Sequence, residues 1–134
     1  MGTTAVRNPN TNPDPDWECY LDGALVTREK IFQYTENNWP LCKFYELAPG
    51  RHTIRLVVRS AGQPFLFDRI MYKPTVAVSN AVAVYTRYDP DIVYSSNWQG
   101  LADVARMTVV NGASVTIAFT GVFSKCSIFR SFVF

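Results

Sequence analysis

Few side chains in this chain have types and spacings that could do chemistry. Its three cysteines, Cys19, Cys42 and Cys126, form no CxxC motif and no zinc-ligating spacing with the one histidine, His52. A disulfide or simple burial is what remains for them. Cys126 is the odd one out, and no second histidine or acid–base pair accompanies it to make a nucleophile. His52 follows a Pro49-Gly50 turn signal, where a lone histidine is expected to hydrogen-bond the turn with its ring. Glycoside hydrolysis needs two carboxylates facing one cleft, and no spacing here supplies them. Asp68, between Phe67 and Arg69, reads as a strand acid satisfied by Arg69 or by loop amides. Asp89 and Asp91 flank Pro90 and carry oxygens a calcium ion would accept, but one Asp-Pro-Asp falls far short of a cation cage and reads as a turn. The expectation is a protein without catalytic residues, metal or cofactor.

Surface recognition is the remaining chemistry. Trp39 and Trp98 both fall at turn ends, Trp39 after Asn37 and Asn38, Trp98 between Asn97 and Gln99. Sugar binders set an aromatic ring beside planar amides, because a pyranose presents an apolar face and a rim of hydroxyls. Trp39, Asn38, Trp98 and Asn97 are therefore the candidate ligand-binding residues, against the plainer reading of each tryptophan as core.

These residues must be held by strands. In 134 residues, 48% hydrophobic and 14% aromatic, there is room for one domain with a real core. The net charge of +2 comes from interspersed acids and bases, so no basic stripe offers itself to a nucleic acid. No apolar run reaches the roughly 18 residues of a membrane span, and residues 1–16 are polar and proline-rich, without the apolar core of a signal peptide. They read as a disordered lead-in.

Beyond it the pattern has period two. Trp17, Cys19 and Leu21 alternate with Glu18, Tyr20 and Asp22, and Asp22-Gly23 is a hairpin signal. Leu41 to Phe44 reads as a strand, and Thr27 to Asn38 is ambiguous, with a weak edge strand at 31–34. Ile54, Leu56 and Val58 share one face of a strand that Pro49-Gly50 starts and that should pair, through a turn at Ser60–Pro64, with Phe65–Tyr72. Ile92–Tyr94 and Arg106–Val110 follow, and Asn111-Gly112 signals a second hairpin into Ala113–Gly121, where Val115, Ile117 and Phe119 face inward. No window sustains a helical period. The class is all-β, an antiparallel β-sandwich. Residues 122–134, with four phenylalanines and no turn residue, are an atypical tail, either buried as a strand or foreign to the fold.

Trp17-Glu-Cys-Tyr-Leu-Asp-Gly23, Asn37-Asn-Trp-Pro-Leu-Cys42, Gly50-Arg-His-Thr-Ile54 and Phe65-Leu-Phe-Asp-Arg-Ile-Met-Tyr-Lys-Pro74 together resemble extracellular β-sandwich modules of fungal (basidiomycete) surface and secreted proteins, similar to galactose-binding-like jelly rolls. The resemblance places 17–74 as the second half of one module and 89–121, from Asp89-Pro-Asp-Ile-Val-Tyr94 to Phe119-Thr-Gly121, as the first half of the next, joined by 75–88. The chain then reads as a circularly permuted single sandwich over 17–134, or as a truncated window across two modules. The tail departs from the family pattern. The resemblance also implies a Cys19–Cys42 disulfide, an extracellular or cell-surface location and a carbohydrate or other surface ligand bound by loops at one end. The alternative is a structural or protein-interaction module, or a fragment with no activity of its own.

Overall fold

The structure, a computed structural model, describes residues 15–27, 39–74 and 83–130. It is all-β: strands β1 (Asp16–Leu21), β2 (Ala24–Val26), β3 (Trp39–Arg59), β4 (Phe65–Phe67), β5 (Arg69–Pro74), β6 (Ala83–Thr86), β7 (Ile92–Tyr94), β8 (Gln99–Leu101), β9 (Ala105–Thr108) and β10 (Ser114–Arg130). All pairings are antiparallel. One sheet runs β2-β1-β3-β10-β5-β6, with β7 also on β10, and a smaller one runs β4-β9-β8. The weak strand expected at 31–34 and most of the lead-in lie outside the described residues, although Asp16 already belongs to β1.

The organising element is the ribbon of β3 and β10, paired from Val57 opposite Ser114 to Trp39 opposite Arg130. The 21 residues of β3 would span roughly 70 Å if straight. They do not run straight. Cys42 is bridged to Cys19, which pairs with Leu56, and the Leu41 carbonyl accepts a hydrogen bond from the indole of Trp17, which pairs with Val58. The first half of β3 therefore folds back over its second half. The bend lies at 46–50, where Glu46 takes a left-handed φ of 52° and the register slips: Gly50 faces Gly121, but Leu47 faces Phe123, so β3 holds one more residue than β10. Pro49 sits inside this bulge, where a missing N–H costs no ladder bond.

Bending gives the ribbon an interior. Ile54, Leu56 and Val58 from the second half of β3, Val115 and Ile117 from β10, and Trp17 and Cys19 from β1 bury against Leu41, Cys42 and Phe44 from the first half, Ile70 from β5 and Ile128 from β10. Phe65 and Phe67 of the small sheet enter the same core, with Phe65 ring to ring against Trp17 at 6.1 Å. Each such side chain contributes about 1.5–3 kcal/mol of transfer free energy. The layering is consistent with a β-sandwich.

Two sequence expectations are corrected. The hairpin from Leu47 to Pro74 does not form: β3 pairs with β1 and β10, β4 with β9, and β5 with β10 and β6. Asn111-Gly112 is a turn, with Gly112 at φ 83°, but it passes the chain from β9 in the small sheet to β10 in the large one. Its amide bonds to the Val58 carbonyl at 2.8 Å, which anchors it to β3. Asp22-Gly23 does close a hairpin, Leu21 facing Ala24, with both residues at the positive φ of a type I′ turn. Residues 122–130 of the tail continue β10 between β3 and β5.

Candidate functional site

At the bend, the carboxylate of Asp22 accepts from the Thr53 amide at 2.7 Å with one oxygen and holds His52 Nδ1 at 2.8 Å with the other. His52 Nε2 lies 2.8 Å from the Ala48 carbonyl. Both partners are pure acceptors, so both ring nitrogens donate best as imidazolium; the Asp22 hydrogen bond first, then the Ala48 carbonyl, raises the His52 pKa above its ordinary 6.5. Asp22 is lowered in turn, chiefly by His52 and then by the Thr53 amide. A His–Asp pair resembles part of a catalytic relay, but the outward nitrogen a substrate would need is held by a backbone carbonyl. His52 ties the β1–β2 turn to the bend.

Near the bend, Leu21, Val26, Thr27, Lys43, Phe44, Tyr45 and Leu47 line a cavity of about 460 Å³. Its walls are mostly apolar. Among the described residues no three His, Cys, Asp or Glu side chains gather where a metal ion could sit. Asp89 accepts the Asp91 amide at 3.0 Å, which closes the turn around Pro90. Asp68 is buried and takes a hydrogen bond from the Arg69 guanidinium.

Of the four candidate ligand residues, Asn38 lies outside the described residues. Trp39 begins β3 with its backbone opposite Arg130, and its side chain lies outside what is described. Trp98 is packed edge-on against Phe65 and Phe67, both at 6.5 Å, and against Tyr94 at 5.4 Å. It serves as the rim of the core, and its indole N–H is buried without an acceptor. Asn97 is exposed, holds a left-handed φ of 70° and directs its amide to the Ser96 hydroxyl at 3.2 Å.

Beside Trp98 stands a group the sequence reading did not single out. Tyr88, in the turn between β6 and β7, is 55% exposed. The Arg87 guanidinium carbon lies 4.4 Å from its ring centre and that of Arg106, on β9, 5.9 Å from it; Arg106 also lies 4.8 Å from the Tyr94 ring. Tyr94 donates its hydroxyl to the Arg87 carbonyl at 2.9 Å, and burial pushes its pKa up against the opposing pull of the two arginines. The Nε atoms of Arg87 and Arg106 are buried without acceptors. Among the described residues neither guanidinium has an ion-pair or hydrogen-bond partner. Arg87-Tyr88 just before an Asp-Pro-Asp turn was the local signal; Arg106 is joined to it only by the fold.

The geometry defines a class, an all-β protein of antiparallel sheets with an internal disulfide and an aromatic–arginine patch on its loops. No family model matches the chain, and no curated protein or solved structure matches it either. Among the described residues no helix is long and apolar enough to cross a membrane.

Proposed function

We propose that this chain is a non-enzymatic, extracellular-type β-sandwich of the jelly-roll, galactose-binding-like kind that binds carbohydrate through loops at one end. The observation that carries the reading is Tyr88: a ring 55% exposed, with the Arg87 and Arg106 guanidiniums against it and neither paired with an acid among the described residues. That combination suits a pyranose, whose C–H face stacks on an aromatic while its hydroxyls take hydrogen bonds. Trp98 packs on Tyr94, which the Arg106 guanidinium also approaches, and Tyr88 is the exposed ring of the group. The Cys19–Cys42 bridge favours an oxidising compartment, in keeping with a fungal surface or secreted module.

The test is a glycan array with polysaccharide pull-down. Binding to a defined set of glycans, lost in Tyr88→Ala and weakened in Trp98→Ala, is the expected result; a null across neutral and acidic glycans refutes the reading. A second reading, a structural or protein-interaction module, draws on Leu25 and Val93, each 64% exposed on short strands at sheet edges. Self-association that disappears in Leu25→Lys or Val93→Lys, with no glycan bound, would favour it.

A further inference from the structure

Resting on the glycan-binding reading, we propose that the Tyr88 site selects saccharides that carry a carboxylate, such as uronate chains, and that Arg87 and Arg106 together grip that carboxylate. The two guanidiniums lie over one tyrosine ring, at 4.4 and 5.9 Å from its centre, so both reach the same exposed patch. Their positions are fixed by different elements. Arg87 is held by the turn whose carbonyl takes the Tyr94 hydroxyl, and Arg106 by β9, where it pairs with Phe67 on one side and Gly100 on the other.

Half-buried arginine normally comes with a carboxylate partner, because taking a guanidinium out of water costs more than ring contact returns. Here no acid among the described residues pairs with either guanidinium. Asp68 is taken by Arg69, and Asp89 closes its own turn through the Asp91 amide. Both Nε atoms are buried, so the Nη ends of each fork are the donors left for an outside acceptor. Two such forks beside an exposed aromatic are complementary to a sugar acid: the ring stacks, and the carboxylate at its rim accepts charge-assisted hydrogen bonds. A neutral sugar would satisfy the ring and leave the cations unpaired. A free carboxylate without the sugar would forgo the stack.

Titration calorimetry of the full chain against a panel of oligouronates (galacturonate, glucuronate-bearing xylan, alginate), each beside its methyl-esterified form, reads this directly. Esterification keeps the sugar and removes the charge. The expected result is at least about tenfold tighter binding of one or more acids than of their esters, weakening as salt rises. Arg87→Gln and Arg106→Gln should each erase that preference while leaving the residual ester affinity in place, and Arg106→Lys should recover only part of it because the fork is lost. Thermal melts of each variant confirm folding. Equal affinity for acid and ester, or a preference that survives both glutamine variants, overturns the acidic-sugar inference while glycan binding stands. Failure of every glycan, neutral or acidic, overturns both.

Discussion

Removing the Cys19–Cys42 bridge should cost the fold about as much as any single change can. The two residues lie 23 apart in sequence. In the chain-entropy relation, closing a loop of that size removes about 11 cal/mol/K from the unfolded ensemble, which is about 3.4 kcal/mol at room temperature. With an unfolding entropy of about 2.1 cal/mol/K per residue, the whole chain carries about 0.28 kcal/mol/K, so the bridge is worth about 12 °C in Tm. Its place in the fold makes the sign secure: it joins β1, on the second half of β3, to the first half of β3, and so holds the bent ribbon closed. Both cysteines are fully buried, so reductant should act only after partial denaturation. The assay reduces the protein in urea, refolds it with thiols blocked from reoxidising, and melts it beside the oxidised form. Unreduced, denatured protein should yield one reactive thiol of three. The Cys19→Ala/Cys42→Ala variant adds packing loss to crosslink loss, and should melt below the reduced protein, by about 1–2 kcal/mol in stability. A reduced form that melts within about 2 °C of the oxidised one would refute both the loop-entropy account and the role of the bridge in closing the ribbon.

Two further outcomes test the local chemistry. With the His52 pKa raised above 6.5, its stabilisation is complete below that value and is lost as pH rises through the folded value; Asp22 contributes above its ordinary carboxylate range of 3.8 and fades as pH falls through its lowered value. Melting temperature should therefore plateau between these limits and decline as pH rises through the raised His52 value, and His52→Gln should flatten the decline; an unchanged slope in the variant would remove His52 as its source. Trp17 and Trp98 form a matched pair, since the Trp17 indole donates to the Leu41 carbonyl at 2.8 Å and the Trp98 indole has no acceptor. In urea titrations Trp17→Phe should destabilise more than Trp98→Phe by about 1–2 kcal/mol, and the reverse order would contradict the hydrogen-bond assignment.

Local conformation was legible in the chain, and strand partnership was not. Asp22-Gly23 and Asn111-Gly112 carry the same chemistry, and both adopt turns with Gly23 and Gly112 at φ 84° and 83°. One closes a hairpin and the other changes sheets, because a dipeptide fixes its own dihedrals and leaves open which strands flank it in space. The alternation of Ile54, Leu56 and Val58 likewise specified the buried face correctly, yet placed the partner at Phe65–Tyr72, when it is β1 on one side and β10 on the other. Period two reports which side of a strand is dry; neighbours are chosen by packing between residues as far apart as Ile54 and Ile117. Pro49-Gly50 is ambiguous for a related reason: a strand that must bend over its own core also needs residues that tolerate a broken ladder, so a bulge and a chain reversal look alike in sequence. The same limit hid the arginine patch. Arg87 and Tyr88 adjoin a visible turn, but Arg106 reaches them only because β9 pairs with β4, whose Phe67 meets edge-on the Tyr94 that both arginines approach. A site assembled from one turn and one strand of the smaller sheet exists only once the long ribbon has folded back and given that sheet a core to cover.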